Sequence, residues 1–149
     1  MTLDGAVTLE RVAAPGNLYR AWEAVRDRAV VDGTPSAAFL AFSRDPAAHL
    51  GAIAEELLSG RFRPAPLNRV EIPKRWGGMR QLAISTIRDR VVERAVHQVL
   101  EPALDPTFTP WSFGYRPGLG VRDAVAAVIE EREAGGSWAL RCDFARCFD

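Results

Sequence analysis

Apolar residues recur at helical spacing in four stretches of this chain and alternate in one. Leu18, Trp22, Val25 and Ala29 fall on one face of a helix that Asn17 would cap and that runs to about Val31. Asp32-Gly33-Thr34-Pro35 breaks it, and Ser36 to Phe42 reads as a short helical turn. Asp45-Pro46 supplies a capping acid and a first-position proline for the next helix. Its stripe is Leu50, Ile53, Ala54, Leu57 and Leu58, and Gly60 ends it. Residues 64–74 alternate around Val70 and Ile72 and predict a strand; Gly77-Gly78 predicts a hairpin turn and Met79 to Ile84 the return strand. Ser85-Thr86 caps an amphipathic helix with Ile87, Val91, Val92, Ala95, Val96, Val99 and Leu100 inward, closed by Pro102. Residues 102–120, rich in proline, glycine and aromatics, predict a long loop. A last helix from Val121 to Glu133 ends at Gly135-Gly136, and Trp138 to Asp143 predicts a buried strand. Residues 1–16 are weakly patterned and read as a loose N-terminal segment.

Composition adds boundaries. The chain's 149 residues, 48% hydrophobic and 26% charged, suffice for one domain with a core. No apolar run reaches membrane-span length and no secretory pattern opens the chain, so the expectation is a cytoplasmic protein without membrane partners. Cys142 and Cys147 make neither a C-x-x-C pair nor a disulfide framework, and they read as reduced packing residues. His49 and His97 lack ligand-spaced partners and read as structural. No Walker, G-x-S-x-G or H-E-x-x-H pattern is present.

Charge changes the picture more. The net charge is zero, yet residues 61–94 hold nine basic and three acidic groups, a net of +6. Such a block points to an anionic partner, although scattered surface arginines would give the same count. Of the 19 basic residues 18 are arginine, and the one lysine, Lys74, sits beside Pro73 in the predicted hairpin. An ammonium is a compact point charge that reaches a single phosphate oxygen where a planar guanidinium does not fit. Lys74 and Arg80 flank the Gly-Gly turn on opposite strands, where two cations can close on a polyphosphate. Ordinary edge-strand charges explain the same pair equally well. Asp143 ends the predicted buried strand. A carboxylate there is costly to ionise without a cation, which makes it a natural ligand for Mg²⁺. Asp149 reads instead as a helix cap or ion-pair partner.

The ordered blocks go further together. They run Ile72-Pro73-Lys74, a glycine turn, Arg80-x-Leu82-x-Ile84, Thr86-x-x-Asp89-Arg90-Val91-Val92, and Leu100-Glu101-Pro102. Ser112-Phe113-Gly114-Tyr115-Arg116-Pro117-Gly118, Asp123-Ala124 and Asp143-x-x-x-Cys147-Phe148-Asp149 follow. This succession resembles the fingers and early palm of bacterial reverse transcriptases of the group II intron lineage, over roughly residues 17–149. The resemblance implies an α+β fold: the fingers and partial palm of a right-hand polymerase, with helices, a projecting β-hairpin and one palm strand. It implies RNA-directed DNA polymerase (nucleotidyltransferase) activity with Mg²⁺, an RNA template, a DNA primer and dNTPs. Lys74 and Arg80 would grip the incoming triphosphate. Asp143 would be the first catalytic metal ligand, supported by the backbone carbonyl of Phe144. The position of the aromatic that excludes a ribose 2′-hydroxyl would be that of Cys147 or Phe148, with Phe148 favoured because a thiol is a poor steric wall. Arg75, Arg88, Arg90 and Arg116 would lie along nucleic acid, Arg90 alternatively serving as an ion-pair partner.

Departures from the pattern matter as well. Gln81 stands where proline is common, and Cys147 where phenylalanine is frequent. The Y-x-D-D block that supplies the other metal carboxylates does not occur, nor does a thumb. The chain alone is therefore expected to be inactive as a polymerase. The Ser-Phe-Gly-Tyr-Arg-Pro-Gly stretch and Trp138 are similar also to reverse transcriptases associated with CRISPR integrases, so intron RNA and a CRISPR integrase both stand as partners. The alternative class is a non-catalytic nucleic-acid-binding remnant that keeps the basic block and loses the chemistry.

Overall fold

Five helices supply the buried core, and the last helix of the chain buries none of its apolar residues. The structure, a computed structural model, describes residues 7–31 and 36–144. Helix α1 spans Leu9–Ala13, α2 Pro15–Val31, α3 Ala37–Arg44 and α4 Pro46–Leu58. The hairpin strands follow, β1 at Asn68–Pro73 and β2 at Met79–Ile84, then α5 at Ile87–Leu104, a 3₁₀ turn at Asp105–Thr107, and α6 at Val121–Glu133. The chain divides into two compact units, Met1–Pro106 and Thr107–Asp149.

The core of the first unit lies where α2 packs along α5, with α1, α3 and α4 around them. Leu18, Ala21 and Trp22 of α2 meet Val91, Val92, Ala95 and Val99 of α5 in it, all buried. Trp22 also contacts Phe39 and Phe42 of α3, with ring centroids 5.4 and 4.7 Å apart. His49 stacks on Phe42 at 4.6 Å, the structural role expected of it. Asp45 caps α4 through the Ala48 amide at 3.0 Å, with proline in the first turn. Gly60 ends α4 at φ 69°, and the amides of Gly60 and Arg61 donate to the Leu57 and Glu56 carbonyls. That pair of bonds is the Schellman arrangement, which requires a left-handed residue after the helix.

Several expectations are corrected. Part of the segment read as loose is helix α1, capped by the Thr8 hydroxyl and holding buried Val12 and Ala13; residues 1–6 lie outside the described residues. Helix α2 begins at Pro15, so Asn17 is not its cap but a buried residue of its first turn. Its amide donates to the carbonyls of Val12 and Ala95, both at 3.0 Å, which ties α1 to α5. Leu58, placed in the α4 stripe, is exposed. Pro102 does not close α5, which runs on to Leu104. The missing proline N–H falls in the last turn, and the Asp105 amide recloses that turn on the Glu101 carbonyl. The break expected at 32–35 lies outside the described residues.

The largest correction concerns the second unit. Trp138 to Asp143 forms no strand; residues 137–144 are irregular and exposed, with Trp138 at 98%. A strand needs a neighbour's N–H and C=O groups, and among the described residues the sheet holds β1 and β2 alone. The expected palm strand is therefore absent here. Helix α6 has the predicted bounds and ends in a second Schellman turn at Gly135, φ 101°, with Gly136 donating to the Glu131 carbonyl at 2.9 Å. Trp111, Phe113, Val128 and Trp138 line an open apolar cavity of about 980 Å³.

Candidate nucleotide and nucleic-acid interface

The hairpin is the most clearly built part of the candidate site. Its strands pair antiparallel with Ile72 opposite Arg80 and Val70 opposite Leu82. The ladder continues one step past Pro73, because the Lys74 amide donates to the Gly78 carbonyl at 2.9 Å. Side chains of a strand alternate between faces, and directly paired residues share one. Arg80 therefore shares its face with Ile72, and Lys74, two residues on, joins them. The Gly77 amide closes the turn on the Lys74 carbonyl at 3.2 Å, with Gly77 and Gly78 at φ 92° and 82°. A side chain is strained at such angles, so glycine sets the turn and with it the register that aligns the two cations.

The tip is exposed throughout. The Arg75 guanidinium lies 5.3 Å from the centroid of Trp76, itself 89% exposed. An exposed indole with a guanidinium against it is a surface on which a nucleobase can stack. The sequence reading passed over Trp76; its signal was an aromatic lodged inside the basic block.

The other arginines differ in availability. Arg88 pairs with Glu56 and lies over Phe62, 4.7 Å from its centroid, so its charge is used within the fold. Arg116 donates to the carbonyls of Thr109 and Ser112 at 3.2 and 3.1 Å and sits 5.5 Å from the Phe108 centroid. It organises the loop in which Tyr115 takes φ 58°. Arg90 donates through Nε to the Ser85 carbonyl at 3.2 Å, which orients it along α5.

Asp89, within the Thr86-x-x-Asp89 stretch, is buried. Its Oδ2 accepts from the Thr86 hydroxyl at 2.6 Å and the Ala65 amide at 3.1 Å, clamping the approach to β1 onto the start of α5. The hairpin's base is thereby fixed to the helical core.

Asp143 is exposed and belongs to the second unit, as does Phe144. Cys147, Phe148 and Asp149 lie outside the described residues. Among the described residues no three His, Cys, Asp or Glu side chains gather closely enough to hold a metal ion. The residues described therefore do not fit a Mg²⁺ site by themselves. Cys142 is a free, exposed thiol, not a packing residue. Among the described residues no helix is long and apolar enough to cross a membrane.

No family model matches the chain. It is 37% identical over 107 residues to protein YkfC of Escherichia coli, which covers 69% of this chain and 28% of YkfC. It is 34% identical over 99 residues to the group II intron-encoded protein LtrA of Lactococcus lactis, 65% of this chain and 16% of LtrA. The COX1/OXI3 intron 1 protein of Saccharomyces cerevisiae matches at 31% over 101 residues, 68% of this chain and 12% of that protein. The chain thus spans little more than a quarter, at most, of these three relatives. Over roughly two thirds of its own length it is similar to proteins encoded by group II introns.

Proposed function

We propose that this chain is the fingers part of an RNA-directed DNA polymerase of the group II intron kind, gripping a nucleoside triphosphate and the backbone of an RNA–DNA duplex. The observation that carries the reading is the hairpin, whose register sets Lys74 and Arg80 on one face of an exposed, glycine-turned tip. The similarity to LtrA supplies the class of enzyme, and intron RNA is the partner it favours over a CRISPR integrase. Lys74 offers a point charge and Arg80 a fork for two oxygens, a complementary pair for adjacent phosphates. Arg75 and Trp76 are suited to template backbone and base. Arg88 and Arg116 take a lesser part, because internal partners already hold them.

In this reading Asp143 is one carboxylate offered to Mg²⁺, with the Phe144 carbonyl beside it, and Phe148 faces the ribose. Mg²⁺ would supply charge stabilisation for nucleotidyl transfer when bound. The described residues do not complete its site, and the part assigned here to Lys74 and Arg80 is grip and orientation of the triphosphate.

Fluorescence anisotropy of a labelled RNA–DNA duplex tests the proposal. Binding should be weak, sequence-tolerant and steeply salt-dependent, Arg75→Gln should flatten the salt slope by about 1, and Lys74→Gln/Arg80→Gln should instead weaken binding of a labelled dNTP. Absence of binding at low salt, or binding insensitive to salt, overturns it.

A further inference from the structure

We propose that the cavity between the Phe62–Pro64 segment and the first half of α5 is a binding site for a primary alkylammonium group, carried by a free aliphatic amine or by a lysine side chain. The proposal does not depend on the nucleic-acid reading. The cavity measures about 360 Å³ and is lined by Phe62, Pro64, Asp89, Val92, Glu93 and Val96. Its polar side chains are both carboxylates, and the rest of the lining is apolar.

Asp89 carries the argument. It is 4% exposed, and its Oδ1 is buried without a hydrogen-bond partner. Its Oδ2 accepts from the Thr86 hydroxyl and the Ala65 amide. Both donors are neutral, so one oxygen of the carboxylate is unused and no cation lies against it. A buried acceptor left unsatisfied is costly, and more so when it is charged. With Oδ2 given to Thr86 and Ala65, Oδ1 is the oxygen left for a ligand in the cavity that Asp89 lines.

Glu93 adds a second carboxylate from one turn further along α5. Like charges four residues apart on a helix repel. Glu93 accepts from the Ser85 hydroxyl at 3.3 Å, again a neutral donor. Among the described residues no cation pairs with either carboxylate. The neighbouring arginines are committed elsewhere. Arg88 pairs with Glu56, Arg63 donates to the Gly60 and Phe62 carbonyls, and Arg90 donates to the Ser85 carbonyl. A cation seated between Asp89 and Glu93 satisfies the orphaned oxygen and offsets the repulsion together.

The lining selects the kind of cation. Phe62, Val92 and Val96 can cover a short alkyl stem. An ammonium is a compact charge with several donors, able to give one to Asp89 Oδ1 and another to Glu93. A guanidinium binds best to both oxygens of one carboxylate, and Asp89 Oδ2 is already engaged. Mg²⁺ asks for an octahedral shell of oxygens, which two carboxylates among apolar walls do not offer. One water takes up roughly 30 Å³, far less than this cavity, and the apolar walls give further waters nothing to bond.

The test titrates the whole 149-residue chain with n-butylammonium chloride at constant ionic strength, followed by amide NMR shifts. The Ala65 amide, bonded to Asp89, and the Val96 amide should move along one saturable curve. Asp89→Asn should weaken binding at least about tenfold and Glu93→Gln at least about threefold. Val96→Phe should abolish binding by filling the cavity, and Glu101→Gln, a carboxylate elsewhere on α5, should leave it unchanged. If circular dichroism shows Asp89→Asn to be unfolded, Glu93→Gln and Val96→Phe carry the test. n-Butylguanidinium should bind at least about threefold more weakly than n-butylammonium. Nα-acetyl-lysine methylamide separates the two sources: binding as tight as n-butylammonium or tighter assigns the site to a lysine side chain, and weaker binding assigns it to a free amine. Shifts that do not saturate, an affinity unchanged in Glu93→Gln and Val96→Phe, guanidinium binding as tight as ammonium, or displacement by equimolar Mg²⁺ overturns the proposal.

Discussion

Asn17 to alanine is the substitution whose cost can be worked most directly from the structure. The Asn17 side chain is buried, donates at 3.0 Å to both the Val12 and Ala95 carbonyls, and accepts at 2.8 Å from the Gln98 amide. Removing it strands unequal groups. The Ala95 carbonyl lies inside α5 and keeps its helical acceptor role. The Val12 carbonyl lies at the end of α1, where the last carbonyls have no intrahelical partner. An unsatisfied buried carbonyl costs about 1–3 kcal/mol, and net loss of the remaining bonds adds about 1 kcal/mol. The expected destabilisation is therefore about 2–4 kcal/mol, which for a unit of this size lowers Tm by roughly 10–25 °C. Asn17→Asp should cost more, because it faces two carbonyl oxygens with an acceptor and buries a charge. Gln98→Ala should cost about 1 kcal/mol, and the double variant should fall short of additivity by at least about 0.5 kcal/mol. Urea denaturation followed by circular dichroism gives all four numbers. An Asn17→Ala protein within about 0.5 kcal/mol of the parent, or an Asn17→Asp protein as stable as Asn17→Ala, would show that this amide does not join α1 to α5 as described.

Other outcomes follow from single contacts. Thr86→Ala removes the hydroxyl that caps α5 and bonds Asp89, and should cost about 1–2 kcal/mol by urea melting. Gly135→Ala forces a side chain into φ 101° and should cost about 1–2 kcal/mol, read as faster hydrogen exchange at the end of α6. Gly136→Ala should fray the same turn, since its Cβ would meet the Glu131 carbonyl oxygen at 2.8 Å. Arg88→Gln and Arg75→Gln should separate stability from binding. Arg88→Gln lowers the urea midpoint through Glu56 and Phe62 with little change in duplex affinity, and Arg75→Gln does the reverse.

Elements set by local chemistry were legible in the sequence. Asp45-Pro46, Gly60, Gly77-Gly78, Thr86 and Gly135-Gly136 each act within a few residues of themselves, and each falls where the structure starts, turns or stops an element. The hairpin's cations were legible for the same reason, because a two-strand register follows from its turn. Asn17 was misread because its two roles compete. The same amide that can cap a helix can also satisfy carbonyls from two other helices, and only the packing of α1 and α5 around it decides between them.

Residues 138–143 fail in a different way. Apolar side chains at Trp138, Ala139 and Leu140 describe what that segment would gain by burial, worth roughly 25 cal/mol for each Å² of apolar surface covered. They carry no information about which backbone will accept its hydrogen bonds. A strand needs both, and among the described residues no third strand pairs with β1 or β2. The inference from a buried strand to a metal-seeking carboxylate therefore loses its first premise, since Asp143 is exposed to water. What remains for Asp143 is the resemblance of its surrounding block. The hairpin, by contrast, stands on its own geometry, and for that reason the functional proposal is built on Lys74 and Arg80.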